Sequence, residues 1–111
     1  CALDCGQVIH PGIVESQTVG SVVYGLSAAL YGEITIKKGK VTQSNFDNYP
    51  LLGIHEMPKV DVHLVDSNEE PGGAGEPAVP PVAPTVTNAI FALTGQRIRS
   101  LPVSLNGMRT M

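Results

Sequence analysis

Pro71-Gly72-Gly73-Ala74-Gly75-Glu76-Pro77 runs directly into Ala78-Val79-Pro80-Pro81-Val82-Ala83-Pro84. A single carboxylate, Glu76, stands on a glycine-padded turn just ahead of a proline-rich entry to an apolar stretch. Glycine is used where a chain needs unusual dihedrals or where another group must come close. Pro77 biases Glu76 toward an extended backbone and stiffens the turn. An acid presented this way, with little bulk beside it, suits a general base facing a bound ligand. The same local pattern also describes a solvated loop acid.

Downstream of this turn the spacing predicts a helix that starts near Pro80 to Pro84, where prolines are tolerated in a first turn. Val82, Val86, Ala89, Ile90 and Leu93 would form its buried face, and Gly95 would end it. Upstream, Lys59 to Asp66 alternates as a half-buried strand: Val60, Val62 and Leu64 to one side, Asp61, His63 and Asp66 to the other. Asn48 to Pro58 and Asp66 to Gly75 read as loops. Glu33 to Lys37 and Lys40 to Phe46 predict a hairpin turning at Gly39. Pro11 suits the first turn of a second helix, with Ile13, Val14, Val22, Val23, Leu26 and Leu30 on one face and Gly32 as its stop. Gly20 and Gly25 weaken that helix in isolation and, in a packed protein, permit close approach of a backbone or ligand. Ala2 to Asp4 reads as the end of a strand. The order is α+β, with two helices packed on a small mixed sheet and no internal repeat.

Composition narrows the function classes. The chain has 111 residues, 42% of them hydrophobic and 15% charged, with a net charge of −3. That balance gives no basic footprint for nucleic acid. No apolar run reaches the length of a membrane span, and no signal peptide is visible. Cys1 and Cys5 have no second pair near them, and His10, His55 and His63 do not cluster with them, so no zinc site is expected. Both cysteines read as buried free thiols, too far apart in an extended segment to bridge. Two cysteines also fall short of the ligands for one all-cysteine iron–sulfur cluster. Asn45, Asp47 and Tyr49 read as turn-stabilising residues, and no nucleophile elbow is present.

Several ordered motifs carry a resemblance. The Gly73-to-Pro84 segment, followed by Asn88-Ala89-Ile90-Phe91-Ala92-Leu93-Thr94-Gly95, resembles the C-terminal end of molybdenum hydroxylases, the family of xanthine dehydrogenase and aldehyde oxidase. Asp4-Cys5-Gly6-Gln7-Val8-Ile9-His10-Pro11, Val14-Glu15-Ser16-Gln17, Tyr24-Gly25-Leu26, Ala29-Leu30-Tyr31 and Asn45-Phe46-Asp47-Asn48-Tyr49-Pro50-Leu51 follow the family order. The likeness runs from Cys1 to about Pro102 and is greatest to the large (beta) subunit branch of isoquinoline 1-oxidoreductase.

This resemblance implies that residues 1–103 are the C-terminal part of a molybdopterin-binding domain and that 104–111 are a polar tail. Family subunits run to many hundreds of residues, so a fragment of a longer polypeptide is expected. Glu76 matches the family's general base, which activates the attacking hydroxyl beside the molybdenum. Gln17 matches a glutamine that contacts the pterin; a helix-surface glutamine is the other reading. Ser16 stands where many relatives have glycine. Gly73 and Gly75 either lend backbone N–H groups to the cofactor region or serve only the turn's conformation. His10 reads as a loop histidine at a position where relatives often carry asparagine.

The implied cofactor is molybdopterin cytosine dinucleotide with molybdenum, with iron–sulfur clusters on a separate small subunit. Implied partners are that subunit, the remainder of the large subunit, and an aromatic heterocycle or aldehyde as substrate. The isolated chain is expected to be inactive. A split or truncated remnant that keeps the fold without the cofactor is the competing expectation. Periplasmic and cytoplasmic locations both remain open.

Overall fold

The computed structural model describes residues 1–106, and two helices dominate it: α1, Pro11–Leu30, and α2, Val79–Thr94. Pro11 opens α1 where a missing N–H costs nothing. His10, read from sequence as a loop residue, is the N-cap: its Nδ1 accepts from the Ile13 N–H at 3.2 Å. At the other end the Tyr31 and Gly32 N–H groups turn back onto the Ser27 and Ala28 carbonyls, so the expected stop at Gly32 is observed.

The glycine turn feeds α2 slightly earlier than expected, at Val79, whose N–H bonds the Glu76 carbonyl at 2.9 Å. Pro80 and Pro81 occupy the first turn, where their lack of a donor is harmless, and Pro84 lies inside the helix. Gly95 closes it in the left-handed region, φ 72°, donating to the Phe91 carbonyl at 2.8 Å.

The two helices pack on each other through a different face of α1 from the predicted stripe. Thr18, Ser21, Gly25, Leu26 and Ala29 are buried. Of the predicted set, only Leu26 is fully covered, and Ile13 is 56% exposed. The reason is close approach. A Cβ on Gly25 would stand 2.9 Å from the Val82 Cβ and 3.1 Å from the Val79 carbonyl oxygen. Small residues win this seam because larger ones would hold the backbones apart. The buried hydroxyls cost little, since Thr18 donates to the Val14 carbonyl and Ser21 to the Thr18 carbonyl, both at 2.8 Å. On α2, Val82 is buried and Val86 and Ile90 are half-buried. The expected burial of Ala89 and Leu93 is not found: Ala89 is exposed and Leu93 is 86% exposed, because nothing among the described residues covers that end.

Four short strands complete the mixed α+β order. β1, Ala2–Leu3, pairs in parallel with β4, His63–Leu64, in the register Ala2↔His63 and Leu3↔Leu64. The predicted 59–66 alternation holds as burial, with Val60, Val62 and Leu64 half-buried and Asp61, His63 and Asp66 exposed. The ladder is shorter than that pattern because β1 offers only two residues to pair. β2, Ile36–Lys37, and β3, Lys40–Val41, form the predicted hairpin. Lys38 and Gly39 both take positive φ, 51° and 76°, as a two-residue hairpin turn with right-handed twist requires. The strands end early because the chain then coils into a turn. There Asn48 Oδ1 accepts from the Ser44 and Asn45 N–H groups, and Asn45 Oδ1 accepts from the Phe46 N–H.

The segment after β1 holds the glycine turn in place. The Gln7 N–H donates to the Glu69 carbonyl at 3.0 Å, and the Gly72 N–H donates to the Cys5 carbonyl at 2.8 Å. Gly6, at φ 73°, passes so close that a Cβ there would lie 2.2 Å from the Glu70 carbonyl oxygen. Ala74 completes the anchor, buried with Leu3 and Cys5 and flanked by Val8, Val14 and Leu64. Cys5 is therefore the small apolar thiol expected. Cys1 is not; it is exposed, immediately before β1. Ile98, Pro102 and Val103 are buried, and a 3₁₀ turn at Val103–Asn106 contacts α1. The remainder of the expected polar tail, 107–111, lies outside the described residues.

Candidate functional site

A cleft of about 620 Å³ opens where α1 passes the glycine turn. One wall is a single stripe of α1: Gln17, Gly20, Ser21 and Tyr24, at the i, i+3, i+4, i+7 spacing that puts residues on one helical face. The other wall is Gly75 and Glu76 from the turn, then Val79 and Pro80 from the first turn of α2. Packing explains the juxtaposition. Gly25 lets α2 come against α1, the Leu3–Cys5–Ala74 cluster fixes the turn, and the stripe next to that seam is left facing Glu76.

Three of the four site residues expected from sequence therefore meet. The Gln17 amide nitrogen lies 3.8 Å from where a Cβ on Gly75 would stand, so the amide and the turn are neighbours. Glu76 is exposed to the cleft and its backbone carbonyl ties the turn to α2. Gly73 does not join them: it is exposed, outside the cleft lining, with open space where a side chain would be. Tyr24 and Gly20 were singled out in the sequence for other reasons, and only the helical spacing from Gln17 signals their place here.

The polar groups at this site are free to bind. Among the described residues, the side chains of Gln17, Tyr24 and Glu76 make no hydrogen bond within the chain, so a carboxamide, a phenol and a carboxylate converge on one space. Gly20 adds a gap in the α1 wall, with nothing within 4 Å of where its Cβ would be. The cleft thus offers a donor and acceptor at Gln17, an acceptor or base at Glu76, and an aromatic face at Tyr24.

Another carboxylate, away from the cleft, is held in a hydrogen-bonded turn. Glu56, half-buried in a 3₁₀ turn at Ile54–Glu56, accepts the Tyr31 hydroxyl and the Gly53 N–H, the latter at 2.7 Å. The Tyr31 hydrogen bond, then the Gly53 N–H and the nearby His55, hold its carboxyl below the usual glutamate value. This pair, with the Leu52 N–H donating to Ser27 Oγ at 3.1 Å, fastens the 52–56 segment to the end of α1. Among the described residues no cluster of histidine, cysteine or carboxylate side chains is arranged to hold a metal ion, and no helix is long and apolar enough to cross a membrane.

Comparison with known proteins accords with this geometry. The sequence profile of the molybdopterin cofactor-binding domain matches residues 1–58. The chain is 38% identical over 103 residues to isoquinoline 1-oxidoreductase subunit beta of Brevundimonas diminuta, covering 93% of this chain and 13% of that protein. It is 37% identical over 101 residues to a membrane-bound aldehyde dehydrogenase of Gluconacetobacter polyoxogenes whose name specifies pyrroloquinoline-quinone, with 91% of this chain and 13% of that one covered. Among solved structures, reconstituted CO dehydrogenase from Oligotropha carboxidovorans superposes with a TM-score of 0.73 at 26% identity, over 89% of this chain and 14% of that chain. The chain thus spans about an eighth of the length of the first two relatives. The profile match, which takes in more than half of the 111 residues, places this chain in the molybdopterin cofactor-binding domain family.

Proposed function

We propose that the cleft is one wall of the active site of a molybdopterin-dependent oxidoreductase that hydroxylates N-heteroaromatics or oxidises aldehydes with water. The observation that carries this reading is the meeting of Gln17, Gly75 and Glu76 in one cleft. The donor set fits the cofactor: an unengaged carboxamide matches the edge of a pterin, and the open backbone at Gly75 leaves room for a flat ring system beside it. The cofactor is molybdopterin cytosine dinucleotide, and the protein provides no side-chain ligand to the metal from these residues.

When bound, the molybdenum cofactor supplies the electron sink for oxidising the substrate carbon. Glu76 acts as general base, taking at a carboxylate oxygen the proton of the attacking hydroxyl. Gln17 positions the pterin edge through its amide, and Gly75 offers its backbone N–H to the same region, while Gly73 serves the path of the turn. Electrons leave through a small iron–sulfur subunit. The rest of the large subunit closes the cleft, so residues 1–103 form part of a domain, and the 111-residue chain alone turns nothing over.

The test is the molybdenum and releasable cytosine nucleotide content of the native polypeptide carrying this sequence, purified from its source. Near-stoichiometric amounts of both are expected. Folded protein lacking both would leave a remnant of the fold, with Glu76 an ordinary loop acid. A tightly bound pyrroloquinoline-quinone in their place, the cofactor named for the aldehyde dehydrogenase relative, would sink the reading.

A further inference from the structure

Tyr24 has no role in the chemistry described so far, yet it occupies a defined part of the cleft. It is 71% exposed and lies two helical turns from Gln17, roughly 10 Å along α1. The cleft lining is polar at Gln17, Ser21 and Glu76 and apolar at the Tyr24 ring, Val79 and Pro80. Tyr24 stands one turn beyond Gly20 on the same face of α1, and both line the cleft. The space at Gly20 is open, with nothing within 4 Å of a notional Cβ, so a flat group can enter against the helix backbone there.

We infer that Tyr24 is a substrate-selecting residue whose ring stacks on the plane of an aromatic heterocycle. The Gly20 gap admits the edge of the ring, and Glu76 faces the carbon to be oxidised. This rests on the cleft being the active site, and it selects between the two substrate classes proposed for it. A planar heteroaromatic meets a matching face at Tyr24, with the offset geometry that aromatic pairs favour. A short aliphatic aldehyde can reach Glu76 without touching the ring and gains nothing from it.

The test uses the intact subunit with its partner, comparing Tyr24→Phe and Tyr24→Leu for a bicyclic N-heteroaromatic and for propanal. Tyr24→Leu should raise KM for the heteroaromatic about 10-fold with little change in kcat, while KM for propanal stays within about 2-fold. Tyr24→Phe, which keeps the face and loses only the hydroxyl, should behave as wild type. Equal losses on both substrates, or no change on either, would overturn the assignment.

Calorimetric binding of the heteroaromatic to cofactor-depleted subunit gives a readout independent of turnover. There too Tyr24→Leu should weaken binding about 10-fold. An unchanged affinity would refute the stacking role. Absence of molybdenum from the wild-type subunit would instead refute the reading of the cleft, leaving the binding comparison to judge Tyr24 by itself.

Discussion

Gln17 and Gly75 meet where the two walls of the cleft join, with the amide nitrogen 3.8 Å from the position a Gly75 Cβ would take. That separation is ordinary van der Waals contact, so the second turn of α1 and the glycine turn form one surface. Glu76 follows Gly75 directly, and its side chain is therefore delivered to the space the Gln17 amide borders. The relationship depends on the path of the backbone at Gly75 as much as on the identity of Glu76.

Glu76→Gln should separate chemistry from binding. The amide keeps the shape of the carboxylate and cannot take the proton. In the intact enzyme, turnover is expected to fall about 10²- to 10⁴-fold, with molybdenum content unchanged. Retained turnover at full metal loading would show that Glu76 is not the base.

Two glycines on α1 should respond in opposite directions. Gly25→Ala drives a Cβ to within 2.9 Å of Val82, and overpacking of that kind costs about 1–3 kcal/mol. Gly20→Ala meets no neighbour and gains helix propensity, worth up to about 1 kcal/mol. Hydrogen exchange of α1 amides in the intact subunit reads both: faster for Gly25→Ala, slower for Gly20→Ala. Equal protection in the two variants would contradict the tight α1–α2 seam.

Gly6→Ala should loosen the site from a distance. The residue combines φ 73° with a Cβ position 2.2 Å from the Glu70 carbonyl oxygen, so 69–72 must move. The left-handed conformation alone costs an alanine about 1–2 kcal/mol. Lost protection of the Gly72 amide, which now donates to the Cys5 carbonyl, is the expected signature, with a fall in turnover as Glu76 shifts. A fully protected Gly72 amide would mean the crossing absorbs the methyl elsewhere.

The Tyr31–Glu56 bond predicts a pH dependence of known sign. Because the folded-state value of Glu56 is depressed, its stabilisation is present above the unfolded value and is lost as pH falls through the folded value. Tyr31→Phe removes the largest cause of that depression. Exchange protection in 52–56 should drop in the variant at about pH 7, and the gap to wild type should shrink as pH falls below the usual glutamate range. A deficit that stays constant as pH falls would assign the effect to packing.

Short-range chemistry was legible in the sequence. Pro11, Gly95 and the Lys38–Gly39 turn announced their elements because proline and glycine act on local dihedrals. The Lys59–Asp66 alternation gave the correct burial of each side while overstating the ladder, since pairing needs a partner that β1 supplies for only two residues. His10 does lie outside α1 as read, but its capping role went unseen, because a histidine ring nitrogen can cap a helix as an asparagine does and only the position of the Ile13 N–H reveals it. The α1 face was misread. Hydrophobic spacing selects large side chains, whereas the seam with α2 rewards small ones.

What the sequence determined by itself is the set of parts: an acid on a glycine turn, a glutamine in a helix with gaps at Gly20 and Gly25, and a motif order that pointed to the molybdenum hydroxylases. Tertiary structure decided which parts share a site. It brought Gln17, Gly75 and Glu76 together with Tyr24, and it left Gly73 outside the cleft. The physical reason is that residue type and local propensity act over a few positions, while the cleft depends on two long-range contacts. These are Gly25 against Val82 and the Cys5 carbonyl on the Gly72 N–H, and neither leaves a periodic trace in the chain.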